Sequence, residues 1–234
     1  LNPDLAEAYG NRGLAYHEKG EYTLAIADYN RALEISPNFA EVYYNRGNSY
    51  QAQGAYTLAI TDYSQALKLK PKFSLAYGNR GFVYSEQGKY IKAVSDFNQA
   101  LKLNPNNIDF LNRGLSYSDQ GKYTYAIEDF NQAIKLDPND ADAYYNRGLS
   151  YLNLDKYVQA VEDYNQAINL NPNDAGAYYK KACAYSLLGE SKDDVIENLK
   201  QAFNLDPMAR AYAVTDSSFD GVRQYEQFQS LMSQ

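Results

Sequence analysis

The tripeptide Asn-Arg-Gly occurs five times in this 234-residue chain, at 11–13, 45–47, 79–81, 112–114 and 146–148. Two of its members can do chemistry. A carboxamide offers two donors and an acceptor, the same groups as a peptide bond, so the column Asn11, Asn45, Asn79, Asn112 and Asn146 can hold an extended chain by its backbone whatever its side chains. Asparagine on an exposed helix face is also harmless, and duplication copies harmless residues, so both readings of the column stand. Arginine presents a flat fork of donors that takes a carboxylate or a phosphate in a bidentate grip. Five arginines in step are either five waiting anion sites or five members of internal ion pairs.

Other chemical equipment is sparse. His17 and Cys183 are the sole histidine and cysteine, and the repeat pattern described next places them many helices apart, which argues against a Cys–His nucleophile. The acidic stretch Asp137–Ala143 lacks the glycine and distal glutamate of a calcium loop and reads as a turn with acids at a helix start. No glycine loop cradles phosphate. The expectation is therefore no catalytic residue, no metal and no cofactor.

The elements that position these residues follow from the prolines. Pro3, Pro37, Pro71, Pro105, Pro138, Pro172 and Pro207 stand 34, 34, 34, 33, 34 and 35 residues apart. This period divides the chain into repeats at 6–39, 40–73, 74–106, 107–140 and 141–174, a degenerate sixth at 175–209, and a tail at 210–234, with 1–5 the end of a preceding repeat. Because "LNP" at the start matches repeat ends at 103–105 and 170–172, the numbered start is expected to be cut from a longer chain. Within a repeat, Tyr or Phe at position 4, Gly at 8 and Tyr at 11 share one helical face. A glycine at 15, replaced once by Asp155, suits a left-handed turn. A second apolar stripe at positions 20, 24, 27 and 28 follows, and proline at 32 stops it. Each repeat thus predicts a helix A, a tight turn and an antiparallel helix B. Mid-helix glycine costs about 1 kcal/mol against alanine. The glycine at 8 is expected to repay this by admitting the bulky aromatic at 24 across the hairpin.

This pattern, Tyr at 4, Gly at 8, Tyr at 11, Ala at 20, an aromatic at 24, Ala at 27 and Pro at 32, resembles the tetratricopeptide repeat family over residues 1–209. The resemblance implies an all-α, right-handed superhelical solenoid of stacked antiparallel helix pairs, with A helices lining a concave groove. Position 7, often leucine in that family, is arginine here. Some members hold peptides on an asparagine ladder, which the column at position 6 looks like. Members that grip chaperone C-termini combine asparagines with Lys or Arg at positions 2, 5 and 6. Asn45 and Asn48 match fragments of that clamp, but the cations are missing, so a C-terminal carboxylate ligand is not expected.

Asp28, Asp62, Asp96, Asp129 and Asp163 recur at position 23, level with the arginines at 7 across the turn. In the sixth repeat both change together, to Lys181 and Asn198, which favours ion pairing within each repeat or between neighbours. The groove floor, beyond the asparagines, should present Tyr44, Phe82, Leu115, Tyr145 and Tyr179, with acids at its start and an apolar middle. Solenoid ends need covers, so the tail is read as a capping helix followed by a helix from Phe219 to Leu231 that folds back; the alternative is an internal ligand in the groove.

A formal charge of −7, a pI near 4.8 and no cation run longer than Lys180–Lys181 argue against nucleic acid or an anionic membrane. No apolar run approaches the length of a membrane span. The reading is a non-catalytic scaffold for an extended neutral or basic peptide segment, with self-association into a homo-oligomer through solenoid ends or groove as the alternative.

Overall fold

The computed structural model describes residues 3–189 and 191–233. Leu1 and Asn2 of the expected preceding-repeat end, Glu190 of the sixth repeat and Gln234 of the tail lie outside the described residues. The described chain is helical, with no strand, and divides into two compact units, Leu1–Ser116 and Tyr117–Gln234.

In the first unit, α1 (Pro3–Glu18) pairs with α2 (Tyr22–Ile35), α3 (Ala40–Ala52) with α4 (Tyr56–Leu69), and α5 (Ser74–Glu86) with α6 (Tyr90–Leu103). Successive hairpins stack through α2 on α3 and α4 on α5, and the A helices α1, α3 and α5 also touch in series. Helix α7 (Asn107–Ser118) follows, and the division between the units falls in its last turn. In the second unit, α8 (Tyr123–Leu136) packs on α9 (Ala141–Leu152), which pairs with α10 (Tyr157–Leu170). Helix α11 (Ala175–Leu188) pairs with α12 (Lys192–Leu205) and rests on α10. The A-to-B turns are left-handed as expected, with φ of 77° at Gly20 and 57° at Asp155. Each complete B helix stops two residues before its proline, since the residue ahead of proline is pushed out of helical geometry. The acids at 140 and 174 are helix caps: their side chains accept from the amides of Ala143 and Ala177 at 3.0 and 3.1 Å.

The core is built from the predicted stripe. Ala25, Tyr29 and Ala32 of α2, and Ala59, Tyr63 and Ala66 of α4, are fully buried. The ring at position 24 lies directly over the glycine at 8. A Cβ on Gly47 would stand 2.7 Å from Tyr63 Cε1, and one on Gly13 would stand 2.7 Å from the same atom of Tyr29. These glycines are therefore forced by contact across the hairpin.

The repeat at 74–106 is one residue shorter than its neighbours, and the structure shows how its junction with α7 is closed. Asn106 Oδ1 accepts from the Asp109 amide at 2.8 Å, and Asn106 Nδ2 donates to Asp109 Oδ2 at 2.7 Å. The Asp109 carboxyl is buried where other repeats place Val42 or Ala76, and burial holds its pKa above the ordinary range. It fits because the facing residue is Gly78, whose Cβ would lie 2.6 Å from Asp109 Oδ1.

The tail forms α13 (Ala209–Ala213), a 3-10 turn (Ser217–Phe219) and α14 (Glu226–Met232). The single helix expected from Phe219 to Leu231 is broken because Asp216 caps the 3-10 turn, accepting from the Ser218 amide, and Gly221 interrupts the spacing. Its apolar side chains nevertheless converge: Phe219, Val222, Phe228 and Leu231 join Cys183, Val195, Leu199 and Phe203 in one buried cluster.

A Gly47→Ala substitution should loosen the second hairpin. Overpacking against a fixed ring costs about 1–3 kcal/mol, against about 1 kcal/mol gained in helix propensity. The expected result is faster amide hydrogen exchange along α3 and α4; slower exchange would show that Tyr63 yields.

Candidate functional site

The arginine column pairs inward. Arg12, Arg46, Arg80 and Arg147 each place Nε and Nη2 on the two oxygens of the aspartate 16 residues on, at 2.6–2.8 Å. The aspartates are buried: Asp28, Asp62, Asp96 and Asp163 are 6 %, 3 %, 6 % and 4 % exposed. The arginines lie over flanking rings, Arg46 at 5.4 Å from Tyr43 and 5.9 Å from Tyr50. These forks are therefore spent on the chain itself and are not waiting anion sites.

One arm of the fork reaches the preceding hairpin, a contact the sequence reading missed. Arg46 Nη1 donates to Asn30 at 2.6 Å, Arg80 to Ser64 at 2.9 Å and Arg147 to Asn131 at 2.5 Å, and Arg113 donates to Asn98. All four acceptors stand at position 25, and Arg46, Arg80 and Arg147 each clamp two B helices. The signal was present as a small polar residue recurring at 25. In the sixth repeat the fork is absent: Asn198 turns back to the Asp194 carbonyl at 2.7 Å, and burial lowers the Lys181 pKa.

A second inter-repeat contact joins position 12 to position 10 of the next repeat. His17 Nδ1 meets Ser49 Oγ at 2.8 Å, Ser85 meets Ser116 at 3.1 Å, and Ser118 meets Ser150 at 3.2 Å. Where position 10 is Val83 or Ala184, position 12 is Gln51 or Leu152, so the pairing is visible as a covariation within the one chain. His17 is thus half-buried in a joint, its ring 5.2 Å from Tyr22.

The asparagine column and its neighbours fall into different environments. In the first unit, Asn11 and Asn45 line one hollow of about 180 Å³ with Leu14, Phe39, Glu7 and Glu41. Neither amide has a side-chain hydrogen bond among the described residues, and the same holds for Asn112 on α7. Glu41 is paired with Lys70 at 2.7 Å, which holds its pKa below the usual range. Asn79 is engaged: its Nδ2 donates to Tyr44 Oη at 3.1 Å and to Asn48 Oδ1 at 2.8 Å. It lines a second hollow, of about 340 Å³, with His17, Gln51, Tyr56, Phe82 and Glu86. Tyr44 packs between repeats, its ring 4.8 Å from Phe73 and 5.9 Å from Tyr63. Leu115 is half-buried and lines neither hollow.

In the second unit, Asn146 donates to its own helix, at the Asp142 carbonyl, at 2.8 Å. Tyr145 packs against Tyr164 with the rings tilted and centroids 5.9 Å apart, and its hydroxyl pKa is raised by burial. Tyr179 is covered by the tail: its hydroxyl donates to Asp216 at 2.8 Å and Phe219 meets its ring edge-on. Cys183 lies beneath the same turn, its thiol pushed up to about 12 by burial, and is a packing residue. Three floor tyrosines expected to face a ligand, Tyr44, Tyr145 and Tyr179, thus have neighbours of their own, because position 5 meets the start of the next hairpin or its substitute.

No described helix is long and apolar enough to cross a membrane. Among the described residues no three His, Cys, Asp or Glu side chains gather as a metal site.

A stack of two-helix units with an unfilled A-helix face defines a helical-repeat scaffold. The chain belongs to the tetratricopeptide repeat family, whose sequence patterns match residues 13–54 and 114–155, then 40–73, 74–107 and 141–174, and also 163–194. No curated protein matches the chain in sequence. Among solved structures, it is similar to YrrB, described as a TPR protein with an unusual peptide-binding site, at 24% identity over 79% of this chain and 96% of that one, with a TM-score of 0.69. It is similar to PilF of Pseudomonas aeruginosa at 21% identity, over 98% and 97% of the two chains, with a TM-score of 0.75. PilW, a type IV pilus biogenesis factor, matches at 18% identity over 95% and 99%, with a TM-score of 0.72. At these identities the likeness is one of fold.

Arg147→Leu should strand Asp163, at a cost of about 3 kcal/mol. Burial already raises the Asp163 pKa and Arg147 opposes that rise. Without the arginine the folded-state pKa climbs further above the unfolded value. The folded state then binds the extra proton, so stability falls as pH rises through that window. Urea unfolding of the variant should show a larger deficit at neutral than at acid pH; a pH-independent deficit would contradict the pairing.

Proposed function

We propose that this chain is a scaffold for protein interaction that holds an extended, neutral or basic peptide segment on its A-helix face, with asparagine amides taking the segment's backbone. The observation that carries this reading is that Asn11 and Asn45 stand on successive A helices in one hollow with their amides unspent. A backbone-directed carboxamide that is neither buried nor bonded keeps both its donors and its acceptor for a peptide group. The environments also grade the column. Asn11, Asn45 and Asn112 offer open amides, whereas Asn79 and Asn146 would have to trade an existing bond for a new one, which leaves little net gain.

The segment's character follows from the lining. Glu7 and the half-exposed Glu41 flank the first hollow, Leu14 and Phe39 supply apolar contact, and the chain as a whole is acidic. YrrB, which shares the fold, is described as having a peptide-binding site, and this supports the choice of ligand class. Tyr44, Phe82, Leu115, Tyr145 and Tyr179 enter this proposal as the walls that shape the face, with Phe82 lining an open hollow of the first unit and Tyr179 one of the second.

A peptide array screened with the wild-type chain and with Asn45→Ala tests the proposal. Binding should fall about tenfold for most captured peptides irrespective of side chain, as expected for loss of about one backbone hydrogen bond to a desolvated partner. Asn146→Ala should change little. An unaltered array with Asn45→Ala and Asn112→Ala together would remove the asparagines from the binding account.

A further inference from the structure

We infer that the second hollow of the first unit is a side-chain subsite for a cation, with the flat guanidinium of an arginine in the bound segment as its occupant. This rests on the reading of the A-helix face as a peptide-binding face and adds the identity of one side chain it selects.

The floor of the hollow is rich in acceptors. Tyr63, fully buried, has one hydroxyl proton and two amide oxygens within reach, Asn48 Oδ1 at 2.8 Å and Gln51 Oε1 at 2.7 Å. Asn79 already supplies Asn48 Oδ1 with a proton at 2.8 Å. Three oxygens therefore share two protons, and lone pairs of Gln51 remain for a donor from outside. The combination is particular to the second repeat. Tyr29 and Tyr164, at the same place in their hairpins, have hydroxyls with no partner among the described residues, because Leu14 and Leu149 stand where Asn48 does.

The walls suit a flat cation. Tyr56 and Phe82 are half-buried aromatics on opposite hairpins, and Glu86 is the carboxylate at the rim; neither lysine nor arginine lines the hollow. An occupant with several N–H donors, a stacking face and a positive charge uses all of these features at once. The chain satisfies its own arginines by the same combination. Arg80, for instance, lies 5.7 Å from the Tyr77 ring and 6.0 Å from the Tyr84 ring while gripping Asp96. An ammonium finds the carboxylate but gains less from the rings and the spread of acceptors. At about 340 Å³ the hollow is wider than one side chain, so the segment's backbone enters with it.

The test is NMR titration of the full chain with four acetyl-Gly-Gly-X-Gly-Gly-amide peptides, X being arginine, lysine, citrulline or norleucine. The arginine peptide is expected to bind about tenfold tighter than the citrulline peptide, which has nearly the same shape without charge, and to shift the Gln51 side-chain amide. Glu86→Gln should remove that preference, while Asn45→Ala should weaken all four peptides alike. Equal binding of the four, sensitive to Asn45→Ala and indifferent to Glu86→Gln, would overturn the cation subsite and keep the face. A lysine peptide that binds as tightly as arginine would overturn the guanidinium assignment. Peptides that shift no residue of either hollow would overturn both readings.

Discussion

The buried arginine–aspartate fork is the interaction on which the stack depends. A single hairpin cannot cover both its apolar stripes, so repeats gain stability only by docking on one another. The fork ties that docking to the hairpin itself. Two arms of the arginine close its own hairpin on a buried aspartate, and the third reaches an amide or hydroxyl of the hairpin before it. An ion pair taken out of water is no great source of stability in general, because desolvation offsets its attraction. Its value here is register. The guanidinium has a fixed planar geometry, so a helix that slips along its neighbour leaves a buried aspartate or a donor unsatisfied.

That use of arginine has a consequence for function. A column of cations on A helices would otherwise attract anions, and the family includes members that use cations for carboxylates. Here the positive charges are turned to the side of the hairpin and neutralised within it, leaving the A-helix face with amides, acids and aromatic rings. On the proposed reading such a face takes a neutral or basic chain, in keeping with the acidic charge of the whole sequence. The sixth repeat departs from the scheme where the stack no longer continues as another full hairpin: Lys181 and Asn198 replace the fork, and the tail packs Phe219 and Asp216 against Tyr179 in place of a following A helix.

Much of this was legible in the residues. The glycine at 8 and the aromatic at 24, the left-handed turn at 15 and the stop before each proline follow from helical spacing and steric rules that operate within one hairpin. The arginine–aspartate pair was readable for the same reason, since its partners lie 16 residues apart across a single turn. Less legible were contacts between hairpins. The third arm of the fork and the joint between positions 12 and 10 depend on how one repeat sits against the next, and spacing within a repeat says nothing of that. His17 shows the limit: on a helical wheel it is a polar residue on the outside, and only the neighbouring α3 brings Ser49 within 2.8 Å of it.

The candidate face divides in the same way. The sequence by itself determined the helical hairpin, its period, the placement of five asparagines on one helical side and the absence of cations among them. Tertiary structure alone decided which asparagines keep their amides open, because that depends on whether a tyrosine hydroxyl or another amide from the adjoining hairpin falls within bonding distance. Asn45 and Asn79 are the same residue at the same position of successive repeats, yet one faces an open hollow with its amide free and the other is bonded to Tyr44 and Asn48. Local spacing sets the direction of a side chain; packing against a neighbour, which varies from joint to joint, sets what that side chain meets.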